Sequence, residues 1–196
     1  MDLGERGERD ASGPVVRKRR GGWLVPIDGM RARSLTTVLF TDVVDSTRHA
    51  LELGDRHWLM LLTRHEGMVR REIQHAGGHL VVTIGDGTVA TFRAPDTAIR
   101  CALASTRASR TLGLEMRCGL HCGVSERHGP RVGGIVFHVA ARIVALAQPG
   151  EVLVSGTLTH FAGGCALRFH ERGRRTLHGL PGRWPVYAVT AAGTEA

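Results

Sequence analysis

The chain has 196 residues, 42% of them hydrophobic and 22% charged, enough for one globular domain whose core needs no disulfide staples, plus a tail. No apolar run reaches the ~18–20 residues of a membrane span, and the opening MDLGERGERD is charged where a secretory signal is apolar, which predicts a cytoplasmic chain with no membrane partner. The net charge of +8 is carried almost wholly by Arg, with Lys18 the one Lys, and its spread without an aromatic-interleaved basic stripe argues against a nucleic-acid partner.

Residues 1–33 are rich in Gly, Arg and acids and carry one apolar patch, Trp23 to Ile27; they are expected to form a flexible basic leader. A folded domain is expected over 34–190, with a disordered tail at 191–196. Leu35 to Val44 is apolar and β-branched, as in a buried strand. Asp45-Ser46-Thr47 is a helix-capping signal, with Asp45 as the cap, and that helix breaks near Gly54. A second helix over about 55–76 sets Trp58, Leu61, Leu62, His65, Val69 and Ile73 on one face and ends at Gly77-Gly78. His79–Ile84 and Thr88–Phe92 read as strands joined by the hairpin signal Gly85-Asp86-Gly87. Pro95 and Asp96 open a helix to about Leu112. A strand over 114–124, a Gly-rich turn at 129–134 and a helix over 135–147 follow. Then come a strand at 151–155, a helical turn near 157–162 and short strands over 167–190. The order β-α-β-β-α-β is the ferredoxin-like split motif, an α+β fold, here with additional C-terminal elements.

The four cysteines, Cys101, Cys118, Cys122 and Cys165, have no disulfide-framework spacing. Met116, Cys118, Leu120, Cys122 and Val124 alternate on one strand face, so Cys118 and Cys122 read as core thiols rather than metal ligands. Two acids have more telling positions. Asp42 ends an apolar strand, and Asp86 sits at a hairpin tip. If that strand lies beside the hairpin, both carboxylates emerge at one sheet edge. Their mutual repulsion is then relieved by a hard divalent cation. The alternative is that Asp42 caps the next helix and Asp86 merely suits its turn.

The segments TTVLFTDVVDST (36–47), VVTIGDGTVATF (81–92), RCGLHCG (117–123) and GGIVFHVAARIVALA (133–147), with EVLVS (151–155) and the ending LHGLPGRWPVYAV, resemble class III adenylate/guanylate cyclase catalytic domains of the bacterial branch. The resemblance spans about 34–190. It implies a head-to-tail homodimer that converts a nucleoside triphosphate to a 3′,5′-cyclic nucleotide and pyrophosphate. Two Mg²⁺ or Mn²⁺ ions per site would rest on Asp42, Asp86 and the Val43 backbone carbonyl. Main-chain groups of Val44, Asp45, Ser46 and Thr47 would hold the phosphates. The family's transition-state arginine matches Arg142, supplied by the second subunit; a plain solvated helix arginine is the alternative.

Three positions depart from the family pattern. Its base-selecting Lys falls at Val82, the partner acid at Arg131 and its ribose-positioning Asn at His138. Val82 offers no polar contact, whereas His138 retains one hydrogen bond. Arg131 either meets a base carbonyl or pairs with Glu126 across its hairpin. His121 reads as a packing residue. The expectation is a cyclase using ATP, with GTP as the other candidate. The alternative is a catalytically silent nucleotide-binding module that regulates by pairing with itself or, as a heterodimer, with another cyclase subunit. A cyclic-di-GMP synthase is disfavoured because 85–88 reads GDGT.

Overall fold

The structure is a computed structural model that describes residues 32–128, 131–161 and 167–191. The leader patch at 23–27, Cys165 and the tail beyond residue 191 lie outside the described residues. In chain order the elements are β1 (Ala32–Val43), α1 (Ser46–Leu53), α2 (Asp55–His75), β2 (His79–Ile84), β3 (Gly87–Phe92), α3 (Pro95–Arg110) and β4 (Met116–His128). They continue with β5 (Arg131–Gly133), α4 (Ile135–Val144), β6 (Val152–Ser155), α5 (Gly156–Phe161), β7 (Leu167–Arg175) and β8 (Trp184–Ala191). One sheet runs β2-β3-β1-β4-β6-β8-β7, with β5 hydrogen-bonded to β4. Its β4-β1-β3-β2 part is antiparallel throughout and forms, with α2 and α3, the expected split βαββαβ core; β6 joins β4 in parallel.

Alternation along the central strands decides which helix covers which face. Leu39, Met116, Cys118, Leu120 and Cys122 pack with Val69 and Ile73 of α2 and with Ile99 and Ala102 of α3. Val38 lies on the opposite face with Val136, Phe137 and Ala140 of α4, joined by Phe40 and Val82. Helix α4 also packs through Val139 and Ile143 on Leu153, Val186 and Ala188, which ties the C-terminal strands to the core. Strand β1 is therefore covered on both sides, and Thr37, Val38 and Leu39 are wholly buried. Burial likewise pushes the Cys118 thiol up to about 12, as befits an inert packing residue.

Two glycines on the α4 side of β4 set how closely that helix approaches. A Cβ on Gly119 would lie 2.2 Å from the Val144 backbone nitrogen, and one on Gly123 would lie 3.5 Å from Cβ of Val136. Backbone thus rests on backbone at Gly119.

The expected boundaries shift at three places. Strand β1 begins at Ala32, inside the expected leader, because Ala32, Arg33 and Ser34 pair with Arg127, Glu126 and Ser125 of β4. Strand β4 runs on to His128 and pairs with β5, an arm that polar Ser125–His128 does not announce through apolar alternation. Helix α4 stops at Val144, and the N–H groups of Leu146 and Ala147 turn to the Ile143 and Val144 carbonyls in a tighter final turn.

Two buried histidines belong to this packing. His65 meets the Ser109 hydroxyl at 2.9 Å through Nε2, and its Nδ1 has no hydrogen-bond partner among the described residues. Burial lowers its pKa, and the charge of Asp86 opposes that shift. His121 meets the Ser155 hydroxyl at 2.6 Å through Nδ1 and stacks edge-on against Trp184. Burial lowers its pKa from 6.5 to about 4. Because the unfolded chain takes up this proton first, His121 favours the folded state above about pH 6.5, and that contribution is lost as the pH falls toward 4. Denaturation of His121→Gln followed from pH 7 to 4 is expected to lose less stability over this window than the parent, by about 3 kcal/mol.

Candidate active site

Antiparallel pairing of β1 with β3 places Thr41 opposite Thr88, so the β2–β3 hairpin closes beside the last residues of β1. The Thr88 N–H donates to the buried Thr41 hydroxyl at 3.1 Å. Gly85 has a φ of +60° while Asp86 does not take a positive φ, the pattern of a two-residue turn that needs Gly at its first position. Gly87 is needed for a different reason. A Cβ there would lie 2.8 Å from the Thr41 carbonyl oxygen and 3.9 Å from Oδ1 of Asp42. The missing side chain lets the hairpin carry Asp86 to the mouth of the space that Asp42 faces.

That space is an open cleft of about 620 Å³ walled by Asp42, Val43, Asp45, Ser46, Thr47, Arg48, Leu51, Asp86 and Arg117. The structure thus brings the two predicted acids together with most of the predicted phosphate-binding segment. Sequence reasoning missed Arg117. It lies directly opposite Asp42 in the β1–β4 register, and its Nε and Nη2 donate to Asp42 Oδ2 at 2.7 and 2.5 Å. The signal was present in the strand pattern: if Cys118 faces the core, Arg117 must face the other way, on the side where antiparallel pairing puts Asp42.

Two expectations are corrected. Asp45 precedes α1 but does not cap it: its side chain makes no capping hydrogen bond and pairs instead with Arg48, Oδ2 to Nη2, at 3.1 Å. The reason is its backbone. At φ 54°, ψ 31° the residue is left-handed, whereas a side-chain cap requires an extended residue. The second correction is Val44, whose N–H is committed to the Glu115 carbonyl at 2.8 Å and cannot serve a phosphate. Ser46 and Thr47 remain at the uncapped start of α1, where backbone N–H groups favour an anion.

The other predicted residues stand apart from this cleft. Arg142 is exposed on α4, and its Nε donates to the His178 carbonyl at 3.1 Å. His138 lies one turn earlier on the same helix and is half-buried. Val82 sits on β2, packed with Phe40 against the cluster under α4. Arg131 begins β5 opposite His128, while the Glu126 carboxylate, its expected alternative partner, pairs with Arg33 at 3.0 Å.

The donor set fits a hard divalent ion in part. Two carboxylates and the Val43 carbonyl are oxygen donors of the kind Mg²⁺ and Mn²⁺ prefer. Among the described residues no three His, Cys, Asp or Glu side chains cluster as a closed cage. Substrate oxygens and water would therefore complete the shell, as they do where Mg²⁺ bridges a protein and phosphates. The strained backbone at Asp45 gives a separate test. Asp45→Gly removes a left-handed cost of about 1–2 kcal/mol and adds some unfolded-state entropy. The exposed Arg48 pair offsets little. Denaturant titration is expected to show net stabilisation of about 0.5–1 kcal/mol.

No protein-family model matches the chain. An uncharacterised protein of Mycobacterium tuberculosis is 35% identical over 122 residues, which cover 61% of this chain and 32% of that protein. A protein of Glutamicibacter nicotianae named adenylate cyclase is 28% identical over 156 residues, 76% of this chain and 33% of its own length. The chain thus spans about a third of the length of these curated relatives. Among solved structures, the adenylyl cyclase CyaB from P. aeruginosa superposes with a TM-score of 0.77 at 18% identity, covering 82% of this chain and 96% of that one. The guanylate cyclase domain of RhGC from Catenaria anguillulae, solved in complex with GTP, gives 0.73 at 19% identity, with 82% and 98% covered. Among the described residues no helix is long and apolar enough to cross a membrane. The chain has the α+β fold of class III adenylyl and guanylyl cyclase catalytic domains.

Proposed function

We propose that the chain is a nucleotidyl cyclase domain that converts a nucleoside triphosphate, ATP or else GTP, to its 3′,5′-cyclic nucleotide and pyrophosphate at a site shared by two copies. The observation that carries this reading is the meeting of Asp42, Asp86 and the uncapped start of α1 in one cleft. In the reaction the ribose 3′-oxygen bonds to the α-phosphorus, the bond to the β-phosphate bridging oxygen breaks, pyrophosphate leaves and the hydroxyl proton passes to solvent. Two Mg²⁺ or Mn²⁺ ions would supply Lewis acidity toward the hydroxyl and neutralise the triphosphate. Asp42, Asp86 and the Val43 carbonyl would hold them. Backbone N–H groups at Ser46 and Thr47 would orient the terminal phosphates, away from the Asp45 carboxylate that Arg48 neutralises.

Arg142 and His138 are outside the cleft walls of their own chain. The reading therefore assigns them to the site of a second, head-to-tail copy. There the Arg142 guanidinium would face charge growing on the α-phosphoryl oxygens, and His138 would hydrogen-bond the ribose. Taking Arg142 to a substrate means giving up its bond to the His178 carbonyl, an exposed contact that water replaces at little cost. Base selection is expected to be weak. Val82 contributes only apolar surface, and a pocket without hydrogen-bonding groups discriminates poorly between bases. Arg131 is the remaining candidate for contacting a base carbonyl. The chain is read as a cytoplasmic signalling module on the same footing.

A second reading is a silent regulatory homologue that binds nucleotide and pairs with itself or another cyclase subunit. The observation favouring it is the apolar Val82 environment. Purified protein assayed with Mn²⁺ or Mg²⁺ and each nucleoside triphosphate separates the two. The cyclase reading expects cyclic product that falls at least 100-fold in Asp42→Ala and in Arg142→Ala, the scale of losing one charge-stabilising group. Mixing the two variants should restore part of the activity, because a heterodimer regains one intact site. Product that persists in Asp42→Ala overturns the metal role, and no product with any nucleotide favours the silent module.

A further inference from the structure

We propose that the first residues of β1 form a docking edge for an extended peptide of alternating acidic and apolar residues, which a partner protein adds to the sheet as a further strand. The edge arises from unequal strand lengths. Strand β1 pairs with β4 from Ala32 onward, but β3 reaches only as far as Phe92, opposite Thr37. The chain then turns away into α3 at Pro95. Among the described residues, 32–36 therefore have a neighbouring strand on one side alone. Which groups this leaves open follows from the ladder. The Val44 N–H donates to the Glu115 carbonyl at 2.8 Å, in step with the unbroken β1–β4 register. Hydrogen-bonded pairs alternate with non-bonded ones in an antiparallel ladder. Ala32, Ser34 and Thr36 thus turn their N–H and C=O groups to β4, and Arg33 and Leu35 turn theirs the other way. A cleft of about 820 Å³ lies on that side, walled by Leu35 and Phe92 among others. Open backbone groups along such an edge are a template for strand addition.

The two faces of this edge ask for different side chains. Leu35 and its cross-strand neighbour Val124 are each 49% exposed, on the face that Leu39 shares. The opposite face is basic. Arg127 pairs with Val132, and His79 pairs with Thr91, the neighbour of Val38; both valines belong to the cluster under α4. Arg93 joins Arg127 and His79 in the cleft wall, which contains no Asp or Glu. None of these three has an ion-pair partner among the described residues. Side chains of a strand alternate between faces, so a peptide with a period of two fits both: apolar residues toward Leu35 and Val124, acidic ones toward the basic face.

A fluorescently labelled, acetylated and amidated peptide, Glu-Val-Glu-Val-Glu, tests this on the full chain by anisotropy. It is expected to bind saturably, and Arg127→Glu should weaken it about tenfold. The counterpart Lys-Val-Lys-Val-Lys should not bind. Leu35→Pro deletes one edge donor yet leaves the β4 ladder intact, so binding should be lost while circular dichroism stays that of the parent. Leu35→Ala keeps the donor and should retain most of the binding. Hydrogen exchange followed by nuclear magnetic resonance should show the Arg33 and Leu35 amides slowing when the acidic peptide is added. No binding, equal binding of the Lys peptide, or binding that leaves both amides unchanged overturns strand addition. If both amides are already protected without peptide, the chain itself or a second copy fills the edge, and the partner falls. Leu35 is about 24 Å from Asp42 along β1, at ~3.4 Å per residue, so these outcomes leave the cyclase reading untouched.

Discussion

Strand β1 is hydrogen-bonded along both edges and covered on both faces, and the positions of the candidate site residues follow from that confinement. While its side chains lie between helices they are apolar or, like Thr37 and Thr41, small and polar. The first carboxylate comes at Asp42, which is half-buried and faces the open cleft, while Val43 beside it is still buried. A charge one turn of the pleat earlier would be buried at a cost of several kcal/mol. Thr41 also seats the hairpin that carries Asp86, because its hydroxyl accepts the Thr88 N–H. The meeting of two acids in one cleft is thus a consequence of sheet pairing, with Gly87 as the point where contact would otherwise be too close.

Two of the three carboxylates that wall the cleft are paired with arginines. Asp42 holds Arg117 and Asp45 holds Arg48, one pair partly buried and the other exposed. The two pairs differ in what surrounds them. Asp42 and Arg117 stand on neighbouring strands of a rigid sheet. Asp45 precedes and Arg48 stands on a short helix that buries none of its residues, so their geometry is the more easily rearranged. On the proposed function, the triphosphate seat at the start of α1 would therefore be mounted on the softer of the two elements, beside an Asp42–Arg117 pair set in the harder one.

Much of this architecture is legible in the sequence because its signals are local. The alternation through Cys118 and Cys122, the helical spacing of His65, Val69 and Ile73, and the Gly-Asp-Gly turn each report a period or a turn type within a few residues. What was not legible depends on pairing between distant segments. Arg117 acquires its meaning only when it is set opposite Asp42, a neighbour 75 positions away. The β4–β5 arm is likewise silent, since its polar residues carry no burial pattern. Asp45 misled for a third reason. Aspartate is a common helix cap, but that preference presumes an extended backbone, and the exit from β1 bends the chain into the left-handed region instead. Tertiary routing overrode a local propensity there.

The bare contact between Gly119 and the backbone of Val144 has a mechanical meaning. Arg117 stands two residues before the glycine, and Arg142 two residues before the valine. With no side chain between strand and helix to flex or change rotamer, the two guanidinium-bearing positions are mounted on one stiff block, like jaws machined from a single piece. A signal that slid α4 along the sheet would have to drag β4 with it. If two copies share the site as proposed, control over the relative placement of these arginines would act by how squarely a neighbour seats against that block.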